Sequence, residues 1–231
     1  MTRAALVLTC EHGGNRVPPA YRALFRGKRA LLASHRGFDL GAAAVAKRLA
    51  RRLEAPLFVA TTSRLVVDLN RSPGHPKLFS EVTRTLPRAE REEIVELYYT
   101  PHREAVTAEL VGLFADGRRV VHLALHSFTP TLNGVRRNAD VGVLYDPSRA
   151  PERAFSERVR GLVLQHDPDL RVRMNYPYRG AADGFTTALR RCFPASRYAG
   201  IELELNQELV KTARGIARTA RILGMALRDA I

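Results

Sequence analysis

Long apolar runs are missing from this chain. The longest near the N-terminus, Ala4 to Leu8, is too short for a signal-peptide core or a membrane span and leads directly into polar residues, so a cytoplasmic address without a membrane partner is expected. Cysteine is scarce: Cys10 and Cys192 are the only two in 231 residues, which leaves no disulfide framework and no CxxC redox or metal spacing. Glycine and proline number 16 and 13, too few for a collagenous or largely disordered chain. Lysine supplies only Lys28, Lys47, Lys77 and Lys211 of the 37 basic side chains. The net charge of +14 therefore rests on arginines scattered along the whole length. A polyanion is the usual partner of so basic a surface, but dispersed arginines without an RNP, zinc-finger or helix-turn-helix signature argue against specific nucleic-acid binding. Repeats, low-complexity tracts and linkers are absent too, so one globular domain over residues 1–231 is expected.

What is present is an alternation of strand and helix patterns. Ala4–Thr9 is a short apolar run ended by Gly13 and Gly14, which suits a buried strand emptying into a loop. Asp39 is placed to cap a helix in which Ala42, Val45, Ala46, Leu49 and Leu53 share one face, stopped by Pro56. Leu57–Ala60 and Leu65–Val67 read as strand pieces, and residues 72–87, broken by three prolines, as a long loop that is either a lid or an ordered surface segment. Residues 88–99 read as a helix, and Thr100 and Pro101 as the cap and first position of another, burying Val106, Leu110 and Leu113. Val120–Leu125 is almost wholly apolar, as expected of a strand covered on both faces. Val141–Leu144, Arg171–Met174 and Tyr198–Leu205 are further strands, 152–165 another helix, and Leu209 to Leu227 supply a final helix with apolar residues at steps of three and four. The alternation predicts a three-layer α/β/α sandwich around a mixed, mostly parallel central sheet.

In such sheets, sites form where strands end. His12 in Cys10–Asn15 and His126 in His126–Pro130 both fall where an apolar strand gives way to a loop, and Glu202 and Glu204 share one face of the last strand because side chains alternate with period two. Imidazole nitrogens and carboxylate oxygens are zinc ligands, and a catalytic zinc keeps one position open. His122, four residues deeper than His126 on the same face, is read as structural. Cys10 has no visible His partner for nucleophilic chemistry and points away from Glu11 on a regular strand. Asp68 is read either as orienting neighbouring arginines or as half of a buried structural pair.

Several ordered motifs carry a resemblance: CEHGGN at 10–15, FDLGA at 38–42, SRLVVDLNRS at 63–72, HSFTPTLNG at 126–134, RNADVGVLYDP at 137–147, NYPYRGAADGFTTALRR at 175–191 and ELNQEL at 204–209. Together they resemble the N-formylglutamate amidohydrolase (N-formylglutamate deformylase) family, which is similar in turn to aspartoacylases and zinc carboxypeptidases. The resemblance implies a zinc-carboxypeptidase-like fold, one Zn2+ per chain, and hydrolysis of N-formyl-L-glutamate or a close N-acyl acidic amino acid, a step of histidine catabolism. It implies His12 and His126 as metal ligands and Glu204 as general base, with Arg64 polarising the scissile carbonyl. Asn70 and Arg71 are implied to grip a substrate carboxylate, Arg137 is a further candidate for that grip, and Tyr178 for a pocket wall. Where the wider superfamily has Glu in His-x-x-Glu, this chain has Asn15, a weaker zinc ligand, so the third ligand is expected to be Glu11 first and Asn15 second. The same-class alternative is a metallopeptidase or peptidoglycan amidase; the alternative from another class is a basic nucleic-acid-binding domain, with salt-sensitive binding and no metal. The oligomeric state is not legible.

Overall fold

A computed structural model describes residues 4–231. Its elements, in chain order, are β1 (Ala5–Cys10), α1 (Arg29–Ala33), α2 (Ala42–Leu53), β2 (Leu57–Val59), α3 (Arg88–Ile94), α4 (Thr100–Ala115), β3 (Val120–Phe128), β4 (Thr131–Leu132), β5 (Val135–Arg136), β6 (Val141–Leu144), α5 (Ala150–His166), β7 (Val172–Met174), α6 (Phe185–Cys192), β8 (Tyr198–Asn206), α7 (Gln207–Val210) and α8 (Ala213–Ala230). Six strands form one sheet in the order β2-β1-β3-β8-β6-β7, while β4 and β5 make a separate hairpin. Strands β2, β1, β3 and β8 run parallel, and β6 pairs antiparallel with β8, so the sheet is mixed and mostly parallel as expected.

Alternation along the central strands sorts two layers. Leu6, Leu8 and Cys10 of β1, Val121, Leu123 and Leu125 of β3, and Ile201, Leu203 and Leu205 of β8 join one core with α2, α5 and α8. Ala5, Val7, Val120 and Tyr198 pack the other face against Val106 and Leu110 of α4 and Phe185 and Leu189 of α6. Both faces are therefore dry, which is why these strands read as unbroken apolar runs. Among the described residues, no helix is long and apolar enough to cross a membrane.

Two expectations about elements are corrected. Leu65–Val67 is a buried turn rather than a strand: its carbonyls accept from Ser80 and Thr83 hydroxyls, and its side chains enter a satellite core with Tyr21, Phe25 and Leu78. Thr100 and Pro101 open α4 as expected, with Tyr99 rather than Thr100 in the cap position, but the start is not a break in the chain's helical course. α3 and α4 are joined through a π turn at Val95–Tyr99, in which the Thr100 amide donates to the Val95 carbonyl. A proline inside a helix removes a donor and crowds the preceding turn, and one extra residue in that turn absorbs the conflict. Asp39 does not cap α2; Gly41, at φ +77°, occupies the cap, and the turn it permits frees the Asp39 carboxylate for other partners. Residues 72–87 are irregular as expected and are tied down, with Leu78 buried and its carbonyl accepting from the Asp68 amide.

Candidate active site

The chain leaves β1 toward β2 on one side and returns in β3 on the other, so the strand order reverses between β1 and β3. Such a switch point opens a crevice at the strand ends. His12 follows β1 there and His126 lies near the end of β3, paired in register with Glu204 of β8. A pocket of about 180 Å³ opens above them, lined by His12, Asp39, Arg64, Asn70, Arg71, His126, Ser127, Tyr178, Arg179, Ala182, Asp183, Glu202 and Glu204.

His12, Asp39 and His126 form a buried three-residue group in which one ligand atom from each lies within 4.8 Å of the others. Asp39 Oδ2 is 2.9 Å from His126 Nδ1 and 3.4 Å from His12 Nδ1. Each ring turns its other nitrogen to a different carboxylate: His12 Nε2 lies 2.7 Å from Asp68 Oδ1, and His126 Nε2 lies 3.3 Å from Glu11 Oε2. Carboxylates behind metal-ligating imidazoles fix ring orientation and ligand basicity. His12 Nδ1 is buried without a hydrogen bond and faces the Asp39 carboxylate. Two imidazoles, one carboxylate and an orphaned ring nitrogen suit a divalent transition-metal ion.

Charge within the cluster agrees with that fit. Burial and the Arg64 charge oppose protonation of His12, yet Asp68 and Asp39 outweigh them and raise its pKa. His126 is likewise disfavoured as a cation by burial and then raised well above its ordinary value by Asp39 and Glu11. Burial pushes Asp39 up, but the two histidines prevail and hold it well below the usual carboxylate range. The cluster thus favours positive charge at its centre.

The expected third ligands lie elsewhere. Asn15 is exposed and its Nδ2 donates to the Leu32 carbonyl at 3.1 Å. Gly13 and Gly14 explain this, since a Cβ on either would strike Val59 or Thr61; the chain is pressed against the exit of β2 and carries Asn15 off the cluster. Glu11 sits behind His126 on the ring nitrogen remote from Asp39, also 4.0 Å from His102 Nε2. The carboxylate that faces both histidine Nδ1 atoms belongs to Asp39, for which the sequence allows both a helix cap and a site role and locally favours the cap.

The remaining candidates surround this group. Glu204 is 5% exposed, lines the pocket, and its Oε2 has no hydrogen-bond partner. Burial raises its pKa to about 7; the Asp39 and Glu202 charges reinforce the rise while His126 and Arg64 oppose it. Arg64 faces the pocket but is engaged by Asp68, at 2.7 Å and 3.2 Å, and reaches Asp39 at 3.5 Å. Asn70 spends its Oδ1 on the Phe185 amide at 2.7 Å, the first residue of α6. Arg71 donates to the Asp183 carbonyl at 3.1 Å. Arg137 reaches the pocket wall through its guanidinium, 5.0 Å from the centre of the Tyr178 ring. His122 is spent on Thr9 and Tyr198, each at 2.8 Å, and burial lowers its pKa to about 4. Cys10 lies in the opposite core, where burial raises its thiol. Arg179, Asp183 and Glu202 also line the pocket; the first two lie within the 175–191 motif without having been singled out, and Glu202 was visible through its shared strand face with Glu204.

A stability test follows from Glu204. In the metal-free chain it holds its proton up to about 7, whereas an ordinary glutamate releases it near 4.5. Its contribution is fully favourable below the unfolded value and lost as pH rises through the folded one. Denaturant titration should show the wild type losing stability relative to Glu204→Gln between pH 5 and pH 8; a constant difference would remove the shifted titration.

The profile of the N-formylglutamate amidohydrolase family matches residues 4–211. No curated protein sequence matches the chain significantly. Among solved structures, a gene product from Agrobacterium tumefaciens is 29% identical with a TM-score of 0.86, covering 99% of this chain and 90% of that one. An N-formylglutamate amidohydrolase from Ralstonia eutropha is 21% identical with a TM-score of 0.75, covering 98% and 93%.

Proposed function

This chain belongs to the N-formylglutamate amidohydrolase family, and from that membership we propose that it is a zinc-dependent hydrolase releasing formate from N-formyl-L-glutamate or a close N-acyl acidic amino acid. One observation carries the reading: a buried carboxyl with an unpartnered oxygen, Glu204, lines the same pocket as the His12, Asp39 and His126 group. His12, Asp39 and His126 would hold the ion. When bound, zinc supplies Lewis acidity and lowers the pKa of water toward about 7.

The chain's own groups account for the remaining chemistry. Glu204 takes a proton from the attacking water and returns it to the amide nitrogen as the carbon–nitrogen bond breaks, leaving formate and a free amine. Arg64, anchored by Asp68, offers positive charge to the oxygen of the tetrahedral intermediate. Arg71 and Asn70 hold the substrate carboxylate, with Tyr178 and its stacked Arg137 closing the wall. Arg71→Lys keeps the charge but loses the planar fork, so KM should rise about tenfold with kcat nearly unchanged.

The deciding experiment is a formate assay on purified protein with a panel of N-acyl amino acids, beside elemental analysis. Formate from N-formyl-L-glutamate and zinc near one equivalent are expected. Zinc-loaded protein that releases nothing from any N-formyl amino acid would end this reading.

A further inference from the structure

Arg103 of α4 does not line the pocket, yet it grips the segment that does. Its Nη1 donates to the Leu69 carbonyl at 3.1 Å and the Arg71 carbonyl at 3.2 Å, on either side of Asn70. The Tyr99 hydroxyl donates to the same Arg71 carbonyl at 2.7 Å. The guanidinium lies over two rings, 4.2 Å from the centre of Phe185 and 4.9 Å from that of Tyr99. Among the described residues, no carboxylate forms an ion pair with it.

The contacts close a ring. Phe185, under Arg103, gives its amide to Asn70 Oδ1; Arg71 donates to the Asp183 carbonyl, and the Ser72 amide to Asp183 Oδ2 at 3.1 Å. Helix α4, the Leu69–Ser72 segment and the entrance to α6 are thereby locked together by one cation. The π turn lies directly before this lock: Tyr99 is its last residue, and Arg103 follows in the first turn of α4. Burial disfavours the charge and lowers the Arg103 pKa despite the nearby Tyr99. An apolar side chain would avoid that desolvation, so packing alone does not account for an arginine here. What arginine adds is a rigid fork of donors that holds two carbonyls at once while its face stacks on aromatic rings.

We propose that Arg103, assisted by Tyr99, is a positioning residue that fixes Asn70 and Arg71 for carboxylate recognition. Its kinetic consequence rests on the function proposed above; the positioning itself does not. The test compares wild type with Arg103→Met, Arg103→Lys and Tyr99→Phe. Hydrogen exchange should accelerate about tenfold or more at residues 69–72 and 183–186 in Arg103→Met while β1, β3 and β8 are unchanged. With N-formyl-L-glutamate, KM should rise about fivefold or more with kcat within about twofold, Arg103→Lys recovering part of the loss. Unchanged exchange at residues 69–72 overturns the proposal, as does a fall in kcat at constant KM. If Arg103→Met does not fold, Tyr99→Phe, which removes only the bond to the Arg71 carbonyl, gives the decision by the same two readouts. If the wild type releases no formate, the functional reading falls and the exchange comparison still decides the positioning role.

Discussion

Glu204→Gln is expected to lower kcat by about 10²- to 10⁴-fold while fold and metal content stay those of the wild type. The side chain is nearly isosteric, and neither Glu204 oxygen takes part in the ion pairs that hold the cluster together. Replacing a carboxyl whose Oε2 is buried and unpartnered by a neutral amide removes a proton acceptor without opening a cavity. Burial has already moved this group to about 7, near the range where a base is effective at neutral pH. Turnover within a few-fold of wild type would take the base role away from Glu204. A loss of metal in the same variant would instead make it a ligand.

Asp39→Ala should abolish stable metal binding and lower turnover about a thousandfold or more, without rescue by added zinc, because two imidazoles alone leave the ligand set short. Chelation of the wild type should give the same loss but be reversed by zinc. Glu11→Gln separates Asp39 from the ligand expected from sequence: it should retain metal near one equivalent with weaker affinity, since Glu11 faces the remote nitrogen of His126. Elemental analysis after dialysis reads both variants. Full metal content in Asp39→Ala with loss in Glu11→Gln would return the third position to Glu11. Asp39→Ala should also be less stable, because Arg64 and both histidines lose a buried carboxylate they share.

The central strands were legible because burial on both faces leaves Val120–Leu125 almost without polar residues, and His126 and Glu204 were visible as exceptions at the ends of such runs. Asp39 was harder. An acidic residue just before a helix has the same local signature whether it caps that helix or turns away, and the difference lies in Gly41 and in histidines 27 and 87 positions distant. At the α3 to α4 junction Thr100 and Pro101 open α4 as their local signature favours, while the π turn that joins it to α3 without a break has no such local signature. Asn15 was misplaced because its direction is set by Gly13 and Gly14 against β2, a tertiary contact.

In the sheet, His126 and Glu204 face one another across paired strands, and Gly142 of β6 adjoins Glu204 on its other side. Their separation is locked by backbone ladders on both edges of β8, so no hinge can adjust it without unzipping the protein's middle. The Tyr178–Asp183 rim and Leu69–Ser72 belong to no strand. Drift in substrate choice among relatives should therefore accumulate in those two stretches, while the proposed ligand and base should pass between relatives almost as a rigid tool.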